Sequence, residues 1–152
     1  MTGSPPRVYL DANVFIAAFE NPGAHSDHAW WIIDAIENGE IVGATSEITL
    51  AEVLVKPVEL GDSELADGYE KMIVSASGFE VLPVRRDILI DAARLRANRT
   101  SLRLPDAIHI ATARALSCTI MVSDDRRLPA IDDIKMLSLN PFTLDDIFGS
   151  RA

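Results

Sequence analysis

Five carboxylates in this chain sit where they could do chemistry: Asp11, Glu52, Asp106 and the adjacent pair Asp124-Asp125. Asp11 directly follows the short apolar run Val8-Tyr-Leu10, and Ser123-Asp124-Asp125 directly follows Thr119–Val122. Asp106 is the only acid of a segment, Ala107–Leu116, that is apolar on nearly every side and therefore reads as a buried helix. A helix N-terminus stabilises an anion, but a carboxylate beside a buried helix still needs a partner, and no lysine is adjacent. Glu52 shares a helical face with Ile48 and Val55, where it would interrupt an apolar stripe. Each position also has an ordinary structural use. Asp11 fits a helix N-cap, Thr49-Leu-Ala-Glu52 a capping box, Asp106 a helix dipole, and Asp124-Asp125 a turn before Arg126-Arg127.

Acids gathered in one cleft repel one another and raise each other's pKa values unless a divalent cation holds them. Oxygen-only donors suit Mg²⁺ or Mn²⁺ and not zinc. Two such ions about 3.5–4 Å apart can activate a water and stabilise the leaving oxygen of a phosphodiester. The chemistry suggested is metal-dependent phosphodiester hydrolysis.

Positioning these acids requires strands that alternate with helices. Val8–Leu10 reads as a short buried strand followed at once by a helix over Asn13–Phe19. Ser26–Asn38 reads as a helix capped by Ser26, Ile41–Ala44 as a strand, and Ser46–Val55 as a helix stopped by Lys56-Pro57. A helix over Asp62–Ser75, a strand over Phe79–Val84 and an amphipathic helix over Asp87–Arg99 follow. Pro105–Leu116 is helical, Thr119–Val122 a strand, and Lys135–Leu139 the last strand. This alternation implies a parallel sheet covered on both faces, in which ligands collect beyond the carboxyl ends of the strands. The loops after the first and fourth strands would then meet in one cleft.

The chain has 152 residues, 48% of them hydrophobic, and a mean hydropathy of +0.14, which describes a globular protein and excludes a disordered one. The longest apolar run, Val14–Phe19, is far too short for a membrane span, and the N-terminus carries no secretory pattern. A lone cysteine, Cys118, cannot form an internal disulfide and reads as a small core residue. These features together predict a cytoplasmic protein. A net charge of −9 and a pI near 4.7 argue against broad nonspecific nucleic-acid binding. Within this acidic chain Arg85, Arg86, Arg94, Arg96, Arg99 and Arg103 cluster against only Asp87 and Asp91. The nucleotide cradles Gly-x-Gly-x-x-Gly and Gly-x-x-x-x-Gly-Lys are absent, as is a Gly-x-Ser-x-Gly elbow. His25, His28 and His109 read as hydrogen-bonded structural histidines.

Four segments, Val8-Tyr-Leu-Asp-Ala-Asn-Val-Phe-Ile16, Thr49-Leu-Ala-Glu-Val53, Leu104-Pro-Asp-Ala-Ile-His-Ile-Ala-Thr-Ala113 and Ile120-Met-Val-Ser-Asp-Asp-Arg-Arg127, resemble in order the four acidic motifs of PIN-domain ribonucleases. The likeness is closest to VapC toxins of bacterial toxin–antitoxin pairs and runs from Arg7 to about Phe148. The resemblance implies a three-layer α/β/α sandwich with a mainly parallel sheet and Mg²⁺- or Mn²⁺-dependent RNA cleavage. It also implies homodimerisation and inhibition by a VapB-type antitoxin. Residues 1–6, the one Pro/Gly/Ser-rich stretch, read as a disordered tail, and on the resemblance residues 7–148 form a single nuclease domain. Asp11, Glu52, Asp106 and Asp125 match the family's acids, and Asn13 and Ser123 its supporting polar residues. Asp124 stands where asparagine is usual, which leaves open which of the pair faces the metal. Asp11, Asp106 and Asp125 would hold metal, with Glu52 either a further ligand or the group positioning a water.

Arg96, Arg99 and Arg103 have no acid in helical register and run into the loop before Asp106, so they are expected to lie unpaired and bind RNA phosphates. Arg94, three residues after Asp91, is expected to form an intrahelical ion pair with it. Two rivals share the general pattern. A haloacid-dehalogenase-like phosphatase also places Asp after its first strand, but it carries a second Asp where this chain has Asn13, and a catalytic lysine. A noncatalytic binding module could keep the fold as an interaction platform.

Overall fold

The computed structural model describes residues 3–20, 22–125, 128–131 and 133–149. Arg126 and Arg127 of the fourth motif, and Met1 and Thr2 of the expected tail, lie outside the described residues. The elements run β1 (Arg7–Leu10), α1 (Ala12–Glu20), α2 (Ala24–Glu37), β2 (Val42–Ser46), α3 (Glu47–Leu60) and α4 (Ser63–Met72). They continue β3 (Phe79–Leu82), α5 (Arg86–Ala97), α6 (Leu104–Ala115), β4 (Ile120–Val122), β5 (Lys135–Leu137) and α7 (Thr143–Gly149).

Every strand pairs in parallel, in the order β3-β2-β1-β4-β5. Side chains alternate across the strands and feed two separate cores. Val8, Leu10, Ile120 and Val122 face a cluster with α1 and α2 residues such as Phe15, Ile32 and Ile33, to which Ile147 of α7 also belongs. Tyr9, Ala44, Leu82 and Met121 face the opposite way, onto Ile88, Ala92 and Leu95 of α5 and Ala107, Ile110 and Ala111 of α6. Helices on both faces of an all-parallel sheet make a three-layer α/β/α sandwich. The order reverses between β1 and β4: the chain builds outward through β2 and β3 on one side, then returns to β4 and β5 on the other. That reversal opens the crevice at the carboxyl ends of β1 and β4.

Local chemistry sets several boundaries that sequence periodicity misplaced. Helix α3 starts one residue after Ser46, whose hydroxyl accepts from the Ile48 amide, so the helix is capped there and not at Thr49. It passes through Pro57 and ends at Leu60, where the left-handed φ of 66° at Gly61 closes the last turn. Proline lacks only one amide hydrogen, and near the end of a helix few bonds depend on it. Helix α2 begins at Ala24, before the expected cap Ser26, whose hydroxyl instead donates to the Ala18 carbonyl at 3.1 Å and ties α2 to α1. The last strand stops at Leu137, and α7 follows it. That short helix is entered through an Asn140–Thr143 turn, in which the Asn140 amide donates to Thr143 Oγ1 at 2.9 Å. Among the described residues no helix is long and apolar enough to cross a membrane.

Candidate functional site

At the crevice a polar cleft of about 280 Å³ is lined by Asp11, Ala12, Asn13, Glu52, Arg103, Asp106 and Asp125. Three loops or helix starts and one helix side converge on it, and each holds its acid for a different reason.

Asp11 joins β1 to α1 and is buried. Its Oδ1 accepts from the Ala12 amide at 2.7 Å, and its Oδ2 accepts from the Ser123 hydroxyl at 2.6 Å. The Asp11 amide donates to the Val122 carbonyl at 3.1 Å, which locks the two strand ends together. The structural use and the candidate chemical use therefore coexist: the carboxylate binds the start of α1 and still borders the cleft. Ser123 Oγ also accepts from the Asp125 amide at 3.1 Å, so one hydroxyl orients both the first and the fourth acidic segments.

Asp124 and Asp125 separate cleanly. Asp124 Oδ1 accepts from the Leu139 amide at 3.0 Å, and its Oδ2 pairs with His25 at the start of α2. Asp125 lines the cleft, with its Oδ2 3.7 Å from Arg103 Nη2. Asp106 lies in the first turn of α6, buried, and its Oδ2 accepts from Arg103 Nε at 3.2 Å. The partner that a carboxylate beside this buried helix requires is thus an arginine three residues earlier.

Glu52 lies on α3, but not for the reason its spacing suggested. The buried residues of α3 are Thr49, Val53 and Pro57, while Val55 is 55% exposed, so the apolar stripe expected through Val55 does not exist. Glu52 stands at the edge of the buried face, where its side chain reaches the cleft. Thr45 anchors that edge: its hydroxyl donates to the Leu10 carbonyl at 2.7 Å and lies 2.7 Å from the Thr49 hydroxyl, binding α3 to the end of β1.

The arginine expectation is corrected in part. None of the three lies unpaired: Arg103 bridges toward Asp106 and Asp125, Arg96 Nε donates to the Leu102 carbonyl at 2.9 Å, and Arg99 Nη1 donates to the Leu95 carbonyl at 3.1 Å. Asp106 stands three residues after Arg103, a helical spacing the expectation passed over, while Arg99 turns back to a carbonyl of the last turn of α5 and Arg96 to one of the loop before α6. The expected Asp91–Arg94 pair is also replaced, since Asp91 Oδ2 lies 3.5 Å from Arg114 Nε on the neighbouring α6. Asp87 pairs with Arg85 through two bonds of 3.0 and 2.9 Å at the exposed start of α5.

The residue that sequence reasoning left out of the site is His109. It is fully buried on α6, one turn after Asp106, with Nδ1 2.6 Å from the Tyr9 hydroxyl and Nε2 2.5 Å from Glu52 Oε1. Its Nε2 is also 3.5 Å from Asp11 Oδ1. Burial alone would push this imidazole down, but the hydrogen bond to Glu52 and the charges of Asp11, Glu52 and Asp106 outweigh it and leave the pKa raised. The i, i+3 spacing from Asp106 was the available signal, because it puts both side chains on one face of α6. Asp11, Glu52 and His109 also bring possible ligand atoms within 4.8 Å of one another. Tyr9, behind the histidine, keeps its phenol proton far above the usual range, through burial first and then the charges of Asp11 and Glu52. Cys118 is buried, which pushes its thiol up to about 11 and makes it a poor nucleophile.

The donor set facing the cleft is oxygen-rich and negatively charged, with Arg103 as its cationic member among the described residues. Such a set fits a hard divalent cation of the Mg²⁺ or Mn²⁺ type.

Comparison with known proteins bears on the same residues. No curated protein matches the chain in sequence. Among solved structures it is similar to VapBC2 from Rickettsia felis bound to a DNA fragment from their promoter, at 15% identity and a TM-score of 0.69 over 88% of this chain and 99% of that one. DNA-bound VapBC from Salmonella typhimurium is similar at 20% identity and a TM-score of 0.67, over 89% and 99% of the two chains. VapC20 from Mycobacterium tuberculosis, a Sarcin-Ricin loop cleaving toxin, is similar at 17% identity and a TM-score of 0.64, over 79% and 92%. At these identities the likeness is one of fold. The PIN domain profile matches residues 8–134, a span that holds all the acids of the cleft, and the chain belongs to the PIN-domain family.

Proposed function

We propose that this chain is a Mg²⁺- or Mn²⁺-dependent endoribonuclease, the toxin of a VapBC-type pair. In this reading residues 7–148 act as one nuclease unit in the cytoplasm, as a homodimer restrained by a VapB-type antitoxin. The observation that carries the reading is the meeting of Asp11, Glu52, Asp106 and Asp125 around one cleft at the strand-order reversal. Family membership and the toxin–antitoxin complexes among the similar folds support it.

Asp11, Asp106 and Asp125 would hold the cation, with Glu52 as a further ligand or as the group that orients and deprotonates the attacking water. The bound cation would supply Lewis-acid stabilisation of the phosphate's developing charge and a water of lowered pKa. Preorganisation comes from the chain. Asp11 is fixed by Ser123 and the Ala12 amide, so its carboxylate need not reorient during the reaction. Arg103 touches Asp106 and Asp125 through Nε and Nη2, and its guanidinium carries further donors for a phosphate oxygen. Arg96 and Arg99, upstream in the sequence, would add further cationic contacts to the RNA backbone. Asp124 serves as a tether for His25 and Leu139, and Asn13 supports the cleft wall.

The phosphatase alternative lacks its lysine at the cleft. Lys56 pairs with Glu20 at 3.2 Å, Lys71 lines a separate apolar cavity, and Lys135 begins β5 at the end away from the crevice. The test is to incubate purified, antitoxin-free protein with total RNA, with Mg²⁺, Mn²⁺ or EDTA, and to map the ends produced. Discrete cuts that require the cation are expected. Intact RNA in both metals would favour the noncatalytic module.

A further inference from the structure

We propose that His109, held by Tyr9, is the positioning residue that presents Glu52 to the cleft, acting as a hydrogen-bond donor behind the carboxylate. This rests on the metal-dependent reading above. Glu52 is an exposed residue of α3, whereas His109 and Tyr9 are wholly buried. Their rings meet edge to face at 5.7 Å and 65°, one from α6 and the other from the central strand β1. The chain of contacts Tyr9–His109–Glu52 therefore fastens an exposed carboxylate to two wholly buried side chains of the core.

The direction of the hydrogen bonds follows from what each group can do. A carboxylate only accepts, so the hydrogen between His109 Nε2 and Glu52 Oε1 belongs to Nε2. Asp11 Oδ1, 3.5 Å from the same nitrogen, favours the same assignment. Nδ1 accepts from the Tyr9 hydroxyl when the ring is neutral and donates to it when the ring is charged, and in both states Nε2 donates to Glu52. A nitrogen that carries hydrogen has no lone pair for a metal, and His109 is not among the residues lining the cleft. The same N–H lies between two carboxylates and reduces their mutual repulsion. Groups behind a ligand commonly govern metal affinity by fixing its orientation.

The experiment uses the full chain without antitoxin and reads Mn²⁺ binding by calorimetry. His109→Leu should weaken binding roughly 10–100-fold, the range typical of such supporting partners. His109→Gln places an amide donor near the position of Nε2 and should recover most of that loss. Tyr9→Phe should weaken binding by itself but add nothing in the His109→Leu background, since it acts through the ring. In the ¹⁵N spectrum of the histidines, the Nε2-bound hydrogen should persist when Mg²⁺ is added. Wild-type Mn²⁺ affinity in a folded His109→Leu protein would overturn the proposal. So would loss of the Nε2 hydrogen on Mg²⁺ binding together with a Gln variant as weak as Leu, which would make the ring a ligand. If His109→Leu fails to fold, the Gln and Tyr9→Phe isotherms and the Nε2 signal carry the same decision. A wild-type protein that binds no Mn²⁺ overturns relay and metal site together. Isotherms in the expected order from a protein that cleaves no RNA would support the relay and overturn the nuclease reading.

Discussion

Replacing Asp124 and Asp125 by asparagine, one at a time, separates the two adjacent acids by role. In Asp124→Asn the amide oxygen can still accept from the Leu139 amide, so the 3.0 Å bond that holds the segment after β5 survives. The charge facing His25 disappears, in a pair whose side chains are 47% and 30% exposed. An exposed pair of this kind is worth about 0–1 kcal/mol, so the melting temperature should fall by no more than about 2–4 °C. RNA cleavage should stay within about twofold of wild type, about 0.4 kcal/mol on the scale where 1.36 kcal/mol is tenfold, because Asp124 is not among the residues lining the cleft. In Asp125→Asn the carboxylate removed is the one lining the cleft beside Arg103. Removing a cation-holding charge there should cost at least about a hundredfold in cleavage rate, since a bound metal supplies several kcal/mol to the transition state. Thermal melts and initial cleavage rates at fixed Mn²⁺ read both effects. The reverse order of activities would refute the reasoning and move the fourth acid to Asp124.

Two further outcomes follow from particular residues. Both tyrosines of the chain are fully buried, and both phenols are raised above their ordinary value of 10.0, Tyr69 by burial first and then by its bond to Glu20. The unfolded chain therefore releases protons above pH 10 that the native chain keeps, and stability should fall as pH rises, by up to about 1.4 kcal/mol per unit for each tyrosine. Ultraviolet absorbance should report tyrosinate only as the protein unfolds, and early ionisation of both rings in folded protein would contradict their burial. In the Arg99→Ala/Arg103→Ala double variant, RNA should bind more weakly, with a salt dependence flatter by roughly 0.7 for each phosphate no longer neutralised. Unchanged affinity and slope would assign RNA binding to another surface.

The order of strands and helices is legible because strand and helix periodicities differ and each apolar run is bounded by caps, glycines or prolines. The sheet follows from alternation alone. Positions set by tertiary contacts are less visible. Periodicity placed Glu52 in a stripe through Val55, yet the buried line runs through Thr49 and Val53, because α3 docks by the Thr45–Thr49 contact. Ser26 has the chemistry of a cap but spends its hydroxyl on Ala18. α7 is short, and its entry turn involves Asn140 and Thr143, a signal too brief to register as a period. At the cleft, the acids could be picked out from their places after apolar runs and at helix starts. His109 is legible only in part: its i, i+3 spacing from Asp106 puts both side chains on one face of α6, but a histidine inside an apolar helix carries no sign of which partners that face meets. Only the packing of α6 on β1 brings it to Tyr9 on one side and Glu52 on the other.

The nuclease reading requires Asp11, Asp106 and Asp125 to hold a divalent cation between the carboxyl ends of β1 and β4. A crystal of the antitoxin-free protein soaked in Mn²⁺, with diffraction collected for anomalous scattering, tests this directly. The expected result is an anomalous peak bounded by these three carboxylates in the wild type and none in an isomorphous Asp106→Asn crystal. A cleft without a peak at saturating Mn²⁺, or an ion held elsewhere while the four acids stay unliganded, would contradict it.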